Sequence, residues 1–468
     1  MKRKRSAKIG LVVLSFCILI AVIVAVSLTV QKKEETDSGN RTKVLFVGMD
    51  SMNWTVLNPL LEKGKLPNIG RLIDEGVSGP LMSRPITNSP IIWTTIATGK
   101  QREEHGITGF FSDGAGEKGS KPYTSADRKV AALWNIMGMR NRTVGCFGWW
   151  VTWPAEQVNG VMVSAFTAMN AGLPVSRGID QNRIINNLTW PEEYFGEIKP
   201  LLVSKDSITH EDLAQFVNIT DWNHPMFQYK AYAEGVNYVL PWTYSTDLSY
   251  VNMAEYCLEK KQLDLTMVYI QGTDSCSHRF WMCRDDVEGL HDNLVRYHLP
   301  AEMEKDFRAY FGETIDKYYE FADELIGRLL AQIDDNTVVI LCSDHGFGTL
   351  EDPWPDGEKE FTLYGGHLDE GSIVIWGPGI RSGKKLKRER MPYIWDVTPT
   401  ILVIMGLPLA QDMVGTPIWE AFDARFMQDF KAIAVETYDV NFKSGEKPKE
   451  IPMDSEYEER LRSLGYIQ

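Results

Sequence analysis

The sequence predicts an α/β fold: a central, mostly parallel sheet with an inserted cap and one N-terminal transmembrane helix. Three observations carry this reading. Short, continuous apolar runs alternate with helical patterns along most of the chain. Three of those runs end in Asp or His clusters, where the strands of an open sheet present ligand-binding groups. An uncharged apolar run stands near the N-terminus.

That run, Ile9 to Val30, crosses a hydrocarbon core of about 30 Å at about 1.5 Å per residue. Lys2, Arg3, Lys4, Arg5 and Lys8 flank it on one side, and Gln31 to Arg41 mixes Lys with Glu and Asp on the other. The positive-inside rule puts residues 1–8 in the cytosol and the body on the extracytoplasmic side of the cell membrane. A cleaved signal peptide is the rival reading, but the run is longer than a usual signal core and no small-x-small site closes it. Phe16 before Cys17 disfavours a lipoprotein.

Residues 31–42 read as a polar linker, 43–440 as the extracytoplasmic domain and 441–468 as a tail. Within the domain, 44–49, 144–150, 161–166, 264–270, 337–342 and 372–376 are apolar runs suited to strands covered on both faces. A helix starts at Pro67 and stops at Gly76, and another spans roughly 302–333. Residues 168–245, rich in Asn, Pro, Trp and Tyr, and 279–300 interrupt the alternation and read as cap-like insertions.

The net charge is −14, although the first eight residues alone are strongly basic. An acidic body repels polyanions, so DNA and RNA polymers are not expected as partners, whereas a small phosphate ester held through a metal is allowed. The six Cys lack the spacing of a disulfide scaffold, and a single bridge such as Cys276–Cys283 stays open. Asn53, Asn141, Asn187 and Asn218 match glycosylation sequons, Asn53 by chance because it adjoins the candidate site.

The chemistry sits at strand ends. Asp50 follows VLFVGM, Asp274 and His278 follow TMVYIQGT, and Asp344 and His345 follow TVVILCS. His367 lies in the Gly-flanked segment YGGHLDEG. Asp274 and His278, four apart, share a face if a helix begins there. Carboxylates and imidazoles meeting at one sheet edge are what a divalent metal needs. Each residue alone has an ordinary structural explanation; together they point to a site.

The order Asp50, T-G at Thr98–Gly99, D-x-x-x-H at Asp274–His278, S-D-H-G at Ser343–Gly346 and G-x-H at His367 resembles the alkaline phosphatase superfamily. Within it, the type I phosphodiesterase/nucleotide pyrophosphatase branch is most similar, including the run from Trp93 to Ile107. The resemblance implies a three-layer alkaline-phosphatase-like fold over roughly residues 43–405, with 168–245 outside it. It implies a catalytic domain that hydrolyses phosphate esters with two divalent metals. One metal is held by Asp274, His278 and His367; the other by Asp50, Asp344, His345 and the nucleophile. Zinc is implied, and the N/O ligand set also admits manganese.

The branch places its nucleophile nine residues before the Thr of T-G, which is Ser89. Pro90 at a first helical position makes Ser89 a helix start, and a helix N-terminus favours an anionic oxygen. A plain N-cap is the ordinary alternative, and Thr87 is a rival nucleophile. The branch's phosphate-steadying Asn is missing, because Thr108, Gly109 and Phe110 stand there; Asn88 and Thr108 are candidate replacements. Ile91 and Trp93 break the sulfatase pattern C/S-x-P-x-R. The expected activity is thus a membrane-anchored phosphodiesterase working through a phosphoseryl intermediate. A sulfatase-like or phosphonate hydrolase, a phospho-group transferase on lipid or glycan headgroups, and a non-catalytic binding protein are the alternatives. His105 reads as structural, and Trp149, Trp150 and Trp153 as core or pocket wall.

Overall fold

Alternate residues of the first strand, β1 (Lys43–Met49), feed two separate cores: Leu45, Val47 and Met49 on one face, Val44 and Phe46 on the other. A strand buried on both faces requires helices on both sides, and that is the arrangement found. The computed structural model describes residues 41–84, 88–112, 121–169, 187–228, 235–284, 287–296, 300–349, 365–388 and 391–445.

The strands after β1 are β2 (Val77–Met82), β3 (Val144–Phe147), β4 (Gly160–Val163), β5 (Thr189–Trp190), β6 (Leu265–Ile270) and β7 (Thr337–Cys342). Then come a short pair, β8 (Gly346–Gly348) and β9 (Gly366–Leu368), followed by β10 (Glu370–Trp376) and β11 (Lys384–Lys385). One sheet has the order β11-β2-β10-β7-β1-β6-β3-β4-β5. Its centre, β7-β1-β6-β3-β4, is parallel throughout.

Four helices matter for the site: α1 (Ser89–Thr98), α2 (Leu240–Lys260), α3 (Gly272–Phe280) and α4 (Thr314–Leu330). α1 buries Ile92, Trp93, Ile96 and Ala97 on the Phe46 side. Side chains of α2, α3 and α4 fill the opposite core, among them Tyr250, Phe280 and Tyr318.

The structure corrects several expectations. β10, expected as one more parallel strand, runs antiparallel to both β7 and β2. β2 carries Gly79 and Pro80, turn-forming residues that hid it; it lies next to the edge, where Pro is tolerated. The run expected to reach Trp150 ends at Phe147, because Gly148 turns to φ 75°. The long helix expected over 302–333 is broken near Gly312 into Glu304–Phe311 and α4.

The described part of the 168–245 insertion is tied into the body. β5 pairs with β4, and Tyr194, Leu213 and Phe216 are buried in the core. Cys276 and Cys283 are both free, as are the other described cysteines, so no bridge joins them. Among the described residues no helix is long and apolar enough to cross a membrane; the 9–30 run lies outside them. So does Thr87.

Candidate metal centre

The register of the three central strands builds the site. Gly48 of β1 pairs with Tyr269 of β6 on one side and Cys342 of β7 on the other. Asp50 and Asp344 each lie two residues beyond that row, and Asp274 enters in the first turn of α3 just past β6. Three parallel strands ending level therefore deliver three carboxylates to one edge, all fully buried.

Two triads result. Oxygens of Asp50 and Asp344 lie 3.5 and 3.3 Å from His345 Nε2. Oxygens of Asp274 lie 3.4 Å from His278 Nε2 and 3.5 Å from His367 Nε2, and those two nitrogens are 2.8 Å apart. His278 shares a face with Asp274 because they are one helical turn apart. His367 arrives on β9, where pairing with β8 sets it opposite Phe347. The six predicted Asp and His ligands therefore meet, and they meet as two groups of three.

The local hydrogen bonding leaves one open atom on each residue of the first triad. The Asp344 Oδ1 accepts from the backbone N–H of Ser51 (3.2 Å) and of His345 (3.1 Å). Ser51 sits at φ 62°, a conformation costly for a residue with a Cβ and one that cradles Asp344. The Asp50 Oδ2 accepts from Tyr269 Oη and from Trp93 Nε1 at 3.4 Å. The His345 Nδ1 faces the Gly346 carbonyl at 3.0 Å; a carbonyl only accepts, so the proton is on Nδ1 and Nε2 is a lone pair. Asp50 Oδ1, Asp344 Oδ2 and His345 Nε2 have no hydrogen-bond partner.

Three buried ligand-type atoms that converge there fit a divalent cation. The electrostatics agree. Burial, then Asp344 and Asp274, push the Asp50 carboxyl well above its usual range. Burial pushes Asp344 up to about 7, with Asp274 adding to it. At Asp274 burial also acts upward, but His278, His367 and His345 overcome it and hold the carboxyl below its usual range. Burial lowers His345 to about 4 and His278 to about 3, so both rings are neutral ligand-type imidazoles at physiological pH.

Ser89 is the first residue of α1, fully buried, with an Oγ that has no hydrogen-bond partner. Trp93, four residues on and so on the same helix face, donates to Asp50. Ser89 and Trp93 therefore share one face of α1. Gly48 allows the approach, since a Cβ there would lie 2.7 Å from Trp93. Asn88 holds the N-cap position without a side-chain capping bond, so Ser89 is not the cap. The Thr108 hydroxyl is exposed and bonded to Tyr123 at 2.7 Å.

Other expectations resolve individually. His105 is structural: its Nδ1 accepts from Ile107 N–H and its Nε2 meets Thr95. Trp149 and Trp153 are core, whereas Trp150 lines a narrow slot with Pro90, Phe110, Tyr123 and Phe166. Asn53 is buried and caps the following helix by accepting from Val56 N–H, which leaves no room for a glycan.

Two supporting groups had escaped sequence reasoning. Asp247 of α2 accepts from Gln271 N–H and Gly272 N–H, 3.0 Å each, and from Tyr318 Oη at 2.9 Å, so it anchors the start of α3. Nothing local in the sequence marks it. Tyr269 does carry a signal, because a Tyr in a strand buried on both faces must find a partner for its hydroxyl.

A family model described as type I phosphodiesterase/nucleotide pyrophosphatase matches residues 44–387. No curated protein matches the chain. Among solved structures, a mutant of the alkaline phosphatase PafA is similar at 13% identity, with 82% of this chain and 99% of that chain covered and a TM-score of 0.50. Murine ectonucleotide pyrophosphatase/phosphodiesterase 5, an inactive form in complex with AMP, matches at 13% identity over 83% of this chain and 99% of that one, with a TM-score of 0.44. The phosphonate monoester hydrolase of Silicibacter pomeroyi matches at 12% over 81% and 76%, with a TM-score of 0.43. The likeness to PafA is one of fold.

Proposed function

This chain belongs to the type I phosphodiesterase/nucleotide pyrophosphatase family, a hydrolase family acting on phosphate esters, and from that premise we propose a membrane-anchored, two-metal phosphodiesterase with Ser89 as its nucleophile. The observation that carries the proposal is the pair of adjoining triads at the ends of β1, β6 and β7. Asp274, His278 and His367 would hold one cation; Asp50, Asp344 and His345, with Ser89, the other. The N/O donors suit zinc and also manganese. Cations bound there would supply positive charge that offsets the negative charge of the reacting phosphate and the serine oxygen.

The chain's own groups do the rest. The N-terminus of α1 favours Ser89 Oγ as an anion and the approach of phosphate. Ser89 Oγ attacks phosphorus in line, the Ser–O–P bond forms and the P–O bond to the leaving alcohol or phosphate breaks. Water then attacks the phosphorus of that seryl intermediate, which still carries the other ester arm, releasing a phosphate monoester and restoring the serine. The slot beside Pro90 offers aromatic walls to one arm of the ester. Residues 9–30 would anchor the chain in the cell membrane, with the body on the extracytoplasmic side facing small phosphate esters such as nucleotides.

The test is hydrolysis of bis-p-nitrophenyl phosphate by zinc-loaded, full-length protein, beside p-nitrophenyl sulfate. Faster turnover of the diester is expected. Preference for the sulfate ester, or no hydrolysis of either, would overturn the reading.

A further inference from the structure

Tyr269 is the next-to-last residue of β6 and lies directly across from Gly48, two residues before Asp50. Its ring is wedged between three indoles. Trp93 stands at 5.3 Å and 78°, Trp149 at 6.4 Å and 65°, and Trp150 at 6.3 Å and 71°. Edge contacts on three sides fix the ring, and its hydroxyl falls on Asp50 Oδ2. Trp150 Nε1 stands 2.8 Å from the same hydroxyl. An indole nitrogen can only donate, so the phenol oxygen accepts there and its own proton goes to Asp50. The chain has one direction: Trp150 N–H to Tyr269 O–H to Asp50 Oδ2.

The far end of this chain is held with care. Trp150 follows Gly148 at φ 75° and precedes Val151 at φ 58°. A β-branched residue in that region is a true outlier, and such strain persists only where the surroundings over-determine it. The strained turn presents Trp150 both to the slot beside Pro90 and to Tyr269. At the near end, Asp50 Oδ2 is taken up by donors while Oδ1 faces His345 Nε2 with no hydrogen-bond partner.

We propose that Tyr269 is a positioning residue for Asp50, fixing which carboxylate oxygen faces the cation site, and that Trp150 acts through it. The wall of the aromatic slot and the Asp50 side of the metal centre are then one hydrogen-bonded unit. This rests on the reading of Asp50, Asp344 and His345 as a cation-holding triad.

The test uses full-length wild type, Tyr269→Phe, Trp150→Phe and the double variant. Zinc affinity is measured by competition with a chromogenic chelator, and metal-free melting temperature is recorded alongside. Tyr269→Phe keeps the wedged ring and loses only the hydroxyl. It is expected to weaken zinc binding about 10–100-fold, as loss of a group orienting a ligand does. Trp150→Phe is expected to weaken it less, and the double variant no more than Tyr269→Phe, since Trp150 has nothing left to act through. Unchanged zinc affinity in Tyr269→Phe, or a double-variant loss equal to the product of the two single losses, overturns the proposal while leaving the metal site intact. A wild type that takes up no zinc overturns the metal reading and this proposal with it.

Discussion

The imidazoles of His345 and His367 stack with centroids 3.7 Å apart and planes 22° apart, although each belongs to a different triad. The stack is the physical seam between the two halves of the site, and it forms because β8 and β9 fold β7's continuation back over itself. His345→Ala and His367→Ala should each take metal content from about two per chain toward one. Elemental analysis after gel filtration checks this; two metals retained in either variant would contradict the pairing.

Ser89→Ala should lower diester turnover by roughly a thousand-fold or more, as loss of a covalent nucleophile does. Stability should not fall, because the buried Oγ makes no hydrogen bond for the substitution to break and Asn88 holds the cap position. Paired rate and melting measurements separate the two effects.

Gly272 is set by a close approach: a Cβ there would lie 2.0 Å from Tyr318 Oη. Gly272→Ala must push Tyr318 off Asp247 or shift α3. A loss of about 1–3 kcal/mol is expected, as for overpacking. Urea denaturation measures it, and zinc affinity should fall too, because α3 carries Asp274 and His278.

Asp247 titrates in a useful window. Burial pushes its carboxyl up to about 7, against hydrogen bonds from Gln271, Tyr318 and Gly272 that act downward. A carboxyl with a raised folded-state pKa contributes stability at low pH that is lost as pH climbs through about 7. In metal-free protein, the stability advantage of wild type over Asp247→Asn should therefore narrow between pH 4.5 and 7.5. Denaturation at both values is the measurement, and an advantage that grows with pH would contradict it.

The proposed anchor separates cleanly from the enzyme. A chain lacking residues 1–42 should enter the aqueous phase of a Triton X-114 partition, while the full chain enters the detergent phase. Equal partitioning would remove the anchor.

Much of the site was legible in the linear chain, for local reasons. Parallel strands must end at an edge, so Asp50 and Asp344 after apolar runs could be placed there. A four-residue spacing on a helix needs only one turn to bring Asp274 and His278 together. The layered α/β architecture followed from runs buried on both faces. The grouping into two triads came by family resemblance, since nothing local assigns His367 to Asp274. Only the tertiary structure decided which oxygen of each carboxylate is held and which is open. Those choices depend on Tyr269 and Trp93 at Asp50, and on Ser51 at Asp344, pairs that meet across strands and helices far apart in sequence. Local spacing cannot encode them, because they arise from the register of β7, β1 and β6 and from the packing of α1 against β1.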